Sequence, residues 1–223
     1  KFAYTGTTPV RIAGLFDVSA KTTGVYSMDI LVSVLIGGTL YTNDVLTSLV
    51  VINETNSPVA RGWTLPGVQR FYQQSDGSAL ITEGDGSAVY FRFLSPSGFL
   101  SPAGEFSVLN GLGGWIRSYP DSTKVNFDAT GKMTTVKDRF GNQTTITYDG
   151  SGRGWKITDP MNRIITLGYG SSGLSTIQDP GGRVTTVTVN ASKSLTAIAD
   201  PDNISTLYGY DTPGRLRTIT DRG

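Results

Sequence analysis

The order of apolar and polar positions along this chain predicts strands and no helices. Apolar residues return at every second position over short runs, and no window sustains the 3.6-residue period of an amphipathic helix. The clearest early runs are Val25-Tyr26-Ser27-Met28-Asp29-Ile30-Leu31-Val32 and Leu46-Thr47-Ser48-Leu49-Val50-Val51-Ile52, with Gly37-Gly38 as a turn signal between them. A strand that is apolar on one face must pack on a second layer. Residues 1–60 are therefore expected to form part of a β-sandwich. Asn53-Glu54-Thr55-Asn56-Ser57-Pro58 is polar and suits a linker. Short hairpins follow over residues 61–127, and regular ones over residues 128–223.

An internal repeat organises the second half. Asp138, Asp159, Asp179, Asp200 and Asp221 stand 21, 20, 21 and 21 residues apart. Ten residues after the first four come Tyr148, Tyr169, Val189 and Tyr210, and four further on come Gly152, Gly173, Lys193 and Gly214. Phe127, Gly131 and Asp138 show the same tail in an earlier unit. One unit reads as a hairpin. Gly131 to Asp138 forms one strand, Arg139-Phe140-Gly141-Asn142 turns the chain, and Gln143 to Tyr148 returns, rich in β-branched residues. Asp149-Gly150-Ser151-Gly152 makes the next turn, where the aspartate can accept a bond from a backbone N–H. Asp159-Pro160, Asp179-Pro180 and Asp200-Pro201 fix φ at a turn position through the proline ring. A lone hairpin is marginal in water, whereas stacked hairpins share ladders and an apolar face. The expected fold is all-β: an antiparallel hairpin array with an N-terminal partial β-sandwich.

Composition narrows the chemistry. Among 223 residues there are 19 Lys plus Arg and 18 Asp plus Glu, a net charge of +1. That balance argues against generic nucleic-acid or membrane-surface binding. Cysteine and histidine are both absent, which removes disulfides, thiolate nucleophiles, Ser-His-Asp triads and ordinary zinc sites. No run approaches the roughly 20 apolar residues of a membrane-spanning helix. The chain opens at Lys1 and stops at Asp221-Arg222-Gly223 within a repeat, so it is expected to be a piece of a longer polypeptide.

The repeat resembles the Rhs/YD-repeat family, whose motif is a Tyr-Asp-x-x-Gly-Arg turn followed by a Leu-x-x-Ile-x-Asp strand. Tyr210-Asp211-Thr212-Pro213-Gly214-Arg215-Leu216-Arg217-Thr218-Ile219-Thr220-Asp221 matches it almost fully, and Tyr148-Asp149-Gly150-Ser151-Gly152-Arg153 matches the turn. The units at Tyr169 and Val189 depart from it. Upstream, Arg61-Gly62-Trp63-Thr64-Leu65-Pro66 looks like the family's lead-in segment, so the resemblance covers about residues 61–223. It implies a spiral sheet that is part of a hollow shell enclosing or presenting a C-terminal, toxin-like domain. It also implies a secreted or cell-surface bacterial protein without enzymatic activity or cofactor in this segment. Its partners would be the remainder of its own polypeptide and, through open sheet edges, neighbouring copies, since four or five hairpins are too few to close a shell.

Other motifs carry less. The repeated aspartates are read as turn caps rather than a glycosidase pair, which needs two carboxyls in one cleft. Glu83-Gly84-Asp85-Gly86 lacks EF-hand spacing, so no metal is expected. Gly111-Leu112-Gly113-Gly114 precedes no helix and does not form a phosphate cradle. The recurring tyrosines fit a cross-strand ladder. Trp63, Trp115 and Trp155 are the candidate glycan contacts of an alternative reading, an adhesive surface module.

Overall fold

The computed structural model describes residues 16–95, 98–111, 114–212 and 214–221. Residues 1–15 of the expected sandwich segment, Leu112 and Gly113 of the glycine-rich stretch, Pro213 of the Tyr-Asp motif, and Arg222 and Gly223 lie outside the described residues. Within them the fold is all-β, with antiparallel strands in open sheets and no closed barrel.

The first sheet is a single hairpin of β1 (Gly24–Ile36) and β2 (Thr39–Val51). Gly37 and Gly38 both have positive φ, as a two-residue hairpin turn of matching twist requires. Where a partial sandwich was expected, the described residues contain this two-stranded sheet and no second sheet packed on it. Tyr26, Met28, Ile30, Val32, Val34 and Ile36 share one face by the strand period, and the last four are exposed. Its base is tied down, Val25 N–H donating to Gln74 Oε1 at 2.9 Å and Asn53 N–H to Thr23 Oγ1 at 2.9 Å.

Next come β3 (Arg70–Gln73), β4 (Ala79–Thr82), β5 (Ala88–Ser95) and β6 (Gly98–Leu100), a four-stranded meander. The remaining strands are β7 (Val108–Asn110), β8 (Trp115–Ser118), β9 (Lys124–Phe127), β10 (Met133–Lys137), β11 (Gln143–Tyr148) and β12 (Gly154–Thr158). They continue as β13 (Ile164–Tyr169), β14 (Leu174–Gln178), β15 (Val184–Val189), β16 (Leu195–Ala199), β17 (Ser205–Tyr210) and β18 (Leu216–Asp221). These twelve pair strictly in chain order, so each strand's partners are its neighbours in sequence.

Most turns between them share one hydrogen-bond pattern, the tighter Gly170–Gly173 turn, where Gly170 N–H donates to Gly173 O at 2.9 Å, being the exception. Asp138 N–H donates to Asn142 O at 3.0 Å and Gly141 N–H donates back to Asp138 O at 3.2 Å. This is a three-residue loop whose last residue takes positive φ, as Gly141 does at 91°. The Asp138 carboxylate then accepts from Phe140 N–H at 2.8 Å and Asn142 N–H at 2.9 Å. Asp128, Asp149, Asp159, Asp179 and Asp200 repeat this double acceptance. The Tyr-Asp turns and the Asp-Pro turns, two separate signals in the sequence, are therefore one device used at both ends of the strands.

Every second strand carries a β-bulge. Register shifts occur between Thr147 and Tyr148, Gly168 and Tyr169, Thr188 and Val189, and Gly209 and Tyr210. They leave Trp155, Ser175, Thr196 and Arg217 as the extra residues, and Thr134 does the same in β10. A bulge bends its strand and adds right-handed twist, so the sheet turns by a similar increment with each unit.

Two cores lie on the inner face. In the first, β3–β6 fold back over β8–β11, burying Phe71, Phe91, Phe99, Phe127, Met133 and Ile146. Phe71 stacks on Trp115 with ring centroids 4.4 Å apart. β3 rejoins the long sheet where Phe71 N–H donates to Gly131 O at 2.9 Å. Gly131 is required there: its φ is +80°, and a Cβ would stand 2.0 Å from Phe71 O. In the second core Leu167, Leu174, Val187 and Leu195 are covered by Val59 and Ala60 of the segment that precedes β3.

Candidate functional site

That segment, residues 53–69, has no strand of its own and lies as a strap across the inner face of β11–β17. Leu174 N–H donates to Val59 O at 2.9 Å and Arg61 N–H donates to Lys193 O at 2.7 Å. Trp63 meets Tyr208 edge-on at 5.2 Å, and its Nε1–H donates to Tyr210 OH at 3.0 Å. Ser57 Oγ–H closes the strap's own turn on Trp63 O. Leu65 hangs above Gly154, the position that Met133, Leu174 and Leu195 occupy in the neighbouring units, and fills the space that a side chain there would take.

Between the strap and the sheets is an open cleft of about 310 Å³. Ile146, Ile157 and Leu167 form its floor, Leu65 and Val68 its roof, and Tyr148 and Tyr169 its flank. Glu54, Arg70 and Tyr72 also line it. Burial raises the Glu54 carboxyl above its ordinary value, and the Arg70 charge only partly offsets this. Burial raises the Tyr72 phenol too, with Glu54 adding to the effect. Tyr148 is pushed up to about 12, chiefly by burial. Its hydroxyl donates to Met133 O at 2.6 Å, and Tyr169 OH donates to Gly154 O at 2.8 Å. These two hydroxyls are engaged, and the two tyrosines form rungs that tie β11 to β10 and β13 to β12, whereas Tyr210 OH accepts from Trp63.

A second, larger hollow of about 590 Å³ lies beyond Glu54, bordered by Arg61, Trp63, Glu83 and Asp85. Besides Glu54, its carboxylates have partners. Asp85 accepts from Ser87 N–H at 2.9 Å, and Glu83 pairs with Arg117. No group of three or more acidic side chains that could hold a metal ion occurs among the described residues.

Arg117 is a hub that the pattern of the chain did not reveal. Its side chain is 2% exposed. It donates to Ser107 Oγ at 2.7 Å and Gln69 Oε1 at 3.3 Å, and pairs with Glu83 and with Glu105 at 3.2 Å. Its guanidinium also lies 4.8 Å from the Tyr119 ring centroid. Burial alone would raise the Glu105 carboxyl, but hydrogen bonds from Ser107 and the Arg117 charge outweigh it, and the net direction is downward. The hub joins the strap, the four-stranded sheet and the start of the long sheet.

The structure separates the candidate residues. Trp115 belongs to the first core and Trp63 to the strap contact, while Trp155 is 44% exposed on a bulge with Lys156 Nζ 4.0 Å from its ring centroid. Asp138, Asp159, Asp179 and Asp200 sit at hairpin turns, whereas Asp221 ends β18 and accepts from Thr206 Oγ1 at 2.7 Å. Gly152 and Gly214 supply the positive φ of their turns. Gly173 differs from them, because a Cβ there would stand 2.5 Å from Val59 O and its absence admits the strap. No known protein family matches the chain, and no curated protein is recognisably similar to it.

Proposed function

We propose that this chain is a non-enzymatic structural segment of a YD-repeat shell, in a secreted or surface protein whose hairpin array encloses or presents another domain. The observation that carries this reading is the last strand. Leu216 and Ile219 of β18 occupy the repeat positions of Leu195 and Ile198 in β16. Leu195 is 2% exposed and Ile198 is partly buried, yet Leu216 and Ile219 are 43% and 59% exposed. A motif written for a core position stands in water, on a strand whose outer edge has no partner among the described residues. Exposed apolar edges of this kind are normally covered. A further hairpin of the same pattern would supply the missing ladder.

Electron microscopy of the native, full-length polypeptide tests this. The expected result is a curved or closed β-shell in which Leu216–Asp221 pairs with another strand. A native protein with β18 as a free edge, or with no enclosed volume, would overturn it. Trp155 favours the second reading, a glycan-contacting surface, because the residue is 44% exposed. Loss of glycan-array binding on Trp155→Ala would support that reading, and absence of any binding by the unaltered chain would remove it.

A further inference from the structure

Glu54 and Arg70 pose a physical problem. Both face the cleft beneath the strap, yet no ion pair among the described residues joins them. The Arg70 guanidinium donates to Thr130 O at 3.2 Å and retains further N–H groups. The Glu54 backbone carbonyl accepts from Ser57 and Gly62, but no group among the described residues donates to its carboxylate. A half-buried carboxylate without donors is costly. One negative and one positive group thus line the cleft without pairing, together with the apolar side chains of Ile146, Ile157 and Leu167.

We propose that this cleft binds a small zwitterion with an apolar body, of the free amino-acid class. Glu54 takes the ammonium, Arg70 the carboxylate, and the floor takes the side chain. The volume of about 310 Å³ lies at the lower end of the range for ligand clefts, which restricts the occupant to a small molecule. A sugar is the poorer fit. It needs several converging donors and acceptors, and the Tyr148 and Tyr169 hydroxyls that flank the floor already bond backbone carbonyls. An ammonium satisfies Glu54 in its charged form, and a carboxylate can take two N–H groups of Arg70 side by side. The proposal does not depend on the array belonging to a shell.

The test is titration of the full chain with L-phenylalanine and L-leucine at neutral pH, followed by calorimetry and by NMR shift mapping. N-acetyl-phenylalanine amide, which lacks both charges, and glucose serve as comparators. The expected result is saturable binding of the free amino acids, weaker by about tenfold or more for the blocked amide, with shifts centred on Leu65, Ile157 and Tyr169. Glu54→Gln should weaken binding by a similar factor without lowering the unfolding midpoint, since it removes a charge that burial disfavours. Should that variant fold poorly, the shift map of the unaltered chain decides alone. No saturation by about 10 mM, equal binding of the amide or glucose, or shifts centred elsewhere would overturn the proposal.

Discussion

The carbonyl oxygen of Val59 occupies the place where a side chain at residue 173 would begin. The strap and the hairpin array meet at this point, and only a glycine allows it. Gly173→Ala should therefore displace the strap even though the φ of residue 173 is not in the left-handed region. The expected cost is about 1–3 kcal/mol, the range for forcing atoms into a packed site. It should be accompanied by faster hydrogen exchange at Leu174 N–H, whose acceptor is Val59 O. Gly214→Ala, where nothing lies within 4 Å, tests the other glycine role, because its strain comes from φ +86° alone and should leave the strap protected.

Arg117 makes a second prediction. Arg117→Leu removes the cation that Glu83 and Glu105 face and should destabilise the chain by about 3 kcal/mol. Adding Glu83→Gln and Glu105→Gln should restore part of that loss, since the orphaned charges are then gone. Equilibrium denaturation of the single and triple variants measures both. A triple variant no more stable than the single one would show that packing against Tyr119, rather than charge, dominates.

The turn carboxylates set an acid limit. Hydrogen bonds hold Asp138, Asp149, Asp159, Asp179 and Asp211 below the ordinary value of 3.8. At Asp138 the Asn142 side chain leads, and at Asp149 the Arg153 backbone N–H does. A carboxyl whose folded pKa is depressed binds its proton more readily in the unfolded chain. The stability it confers is complete only well above the unfolded value, from about pH 5 upward, and falls away as pH drops through the folded value. Unfolding midpoints should hold steady from neutrality to about pH 5 and decline below it. Asp149→Asn and Asp159→Asn together should flatten that decline, as followed by circular dichroism across the acid range.

The repeat offers an internal comparison. Leu195→Ala empties a buried position and should cost about 2–5 kcal/mol. Leu216→Ala, the same repeat position one unit later, should cost less than about 0.5 kcal/mol in this chain. In a protein where a further strand covers β18, the two costs should converge. Thermal denaturation of both variants, in this chain and in one lengthened at its C-terminus by a further hairpin of the same pattern, reads this directly.

Much of the array was legible because its signals are local. Most turns write their own Asp and positive-φ residue within five positions, and strict chain-order pairing asks nothing of distant residues. The strap was not legible, because Val59 and Gly173 meet across 114 positions and the polar run Asn53 to Pro58 reads equally well as a linker. Nor was Arg117: a charged residue between Ile116 and Ser118 gives no sign that two distant carboxylates will close over it. The bulges escaped because Trp155, Ser175, Thr196 and Arg217 share a position and no chemistry. Only the alternation of shorter and longer spacings between successive turns, nine or ten residues against eleven, betrays them. The tryptophans show the limit of reading residue type without depth, since a core ring, a strap ring and an open ring look alike in sequence.

The bulge spacing also governs which changes of length the chain tolerates. Removing one whole unit of about 21 residues takes away two turns and one bulge, so every remaining side chain keeps its face and the sheet loses a single increment of bend. Removing one strand with its turn places two bulged or two regular strands side by side, and reverses the direction of everything that follows. Hairpins are thus the smallest step by which such a chain can be lengthened or shortened, and curvature becomes a count of them, adjustable without redesign of any one.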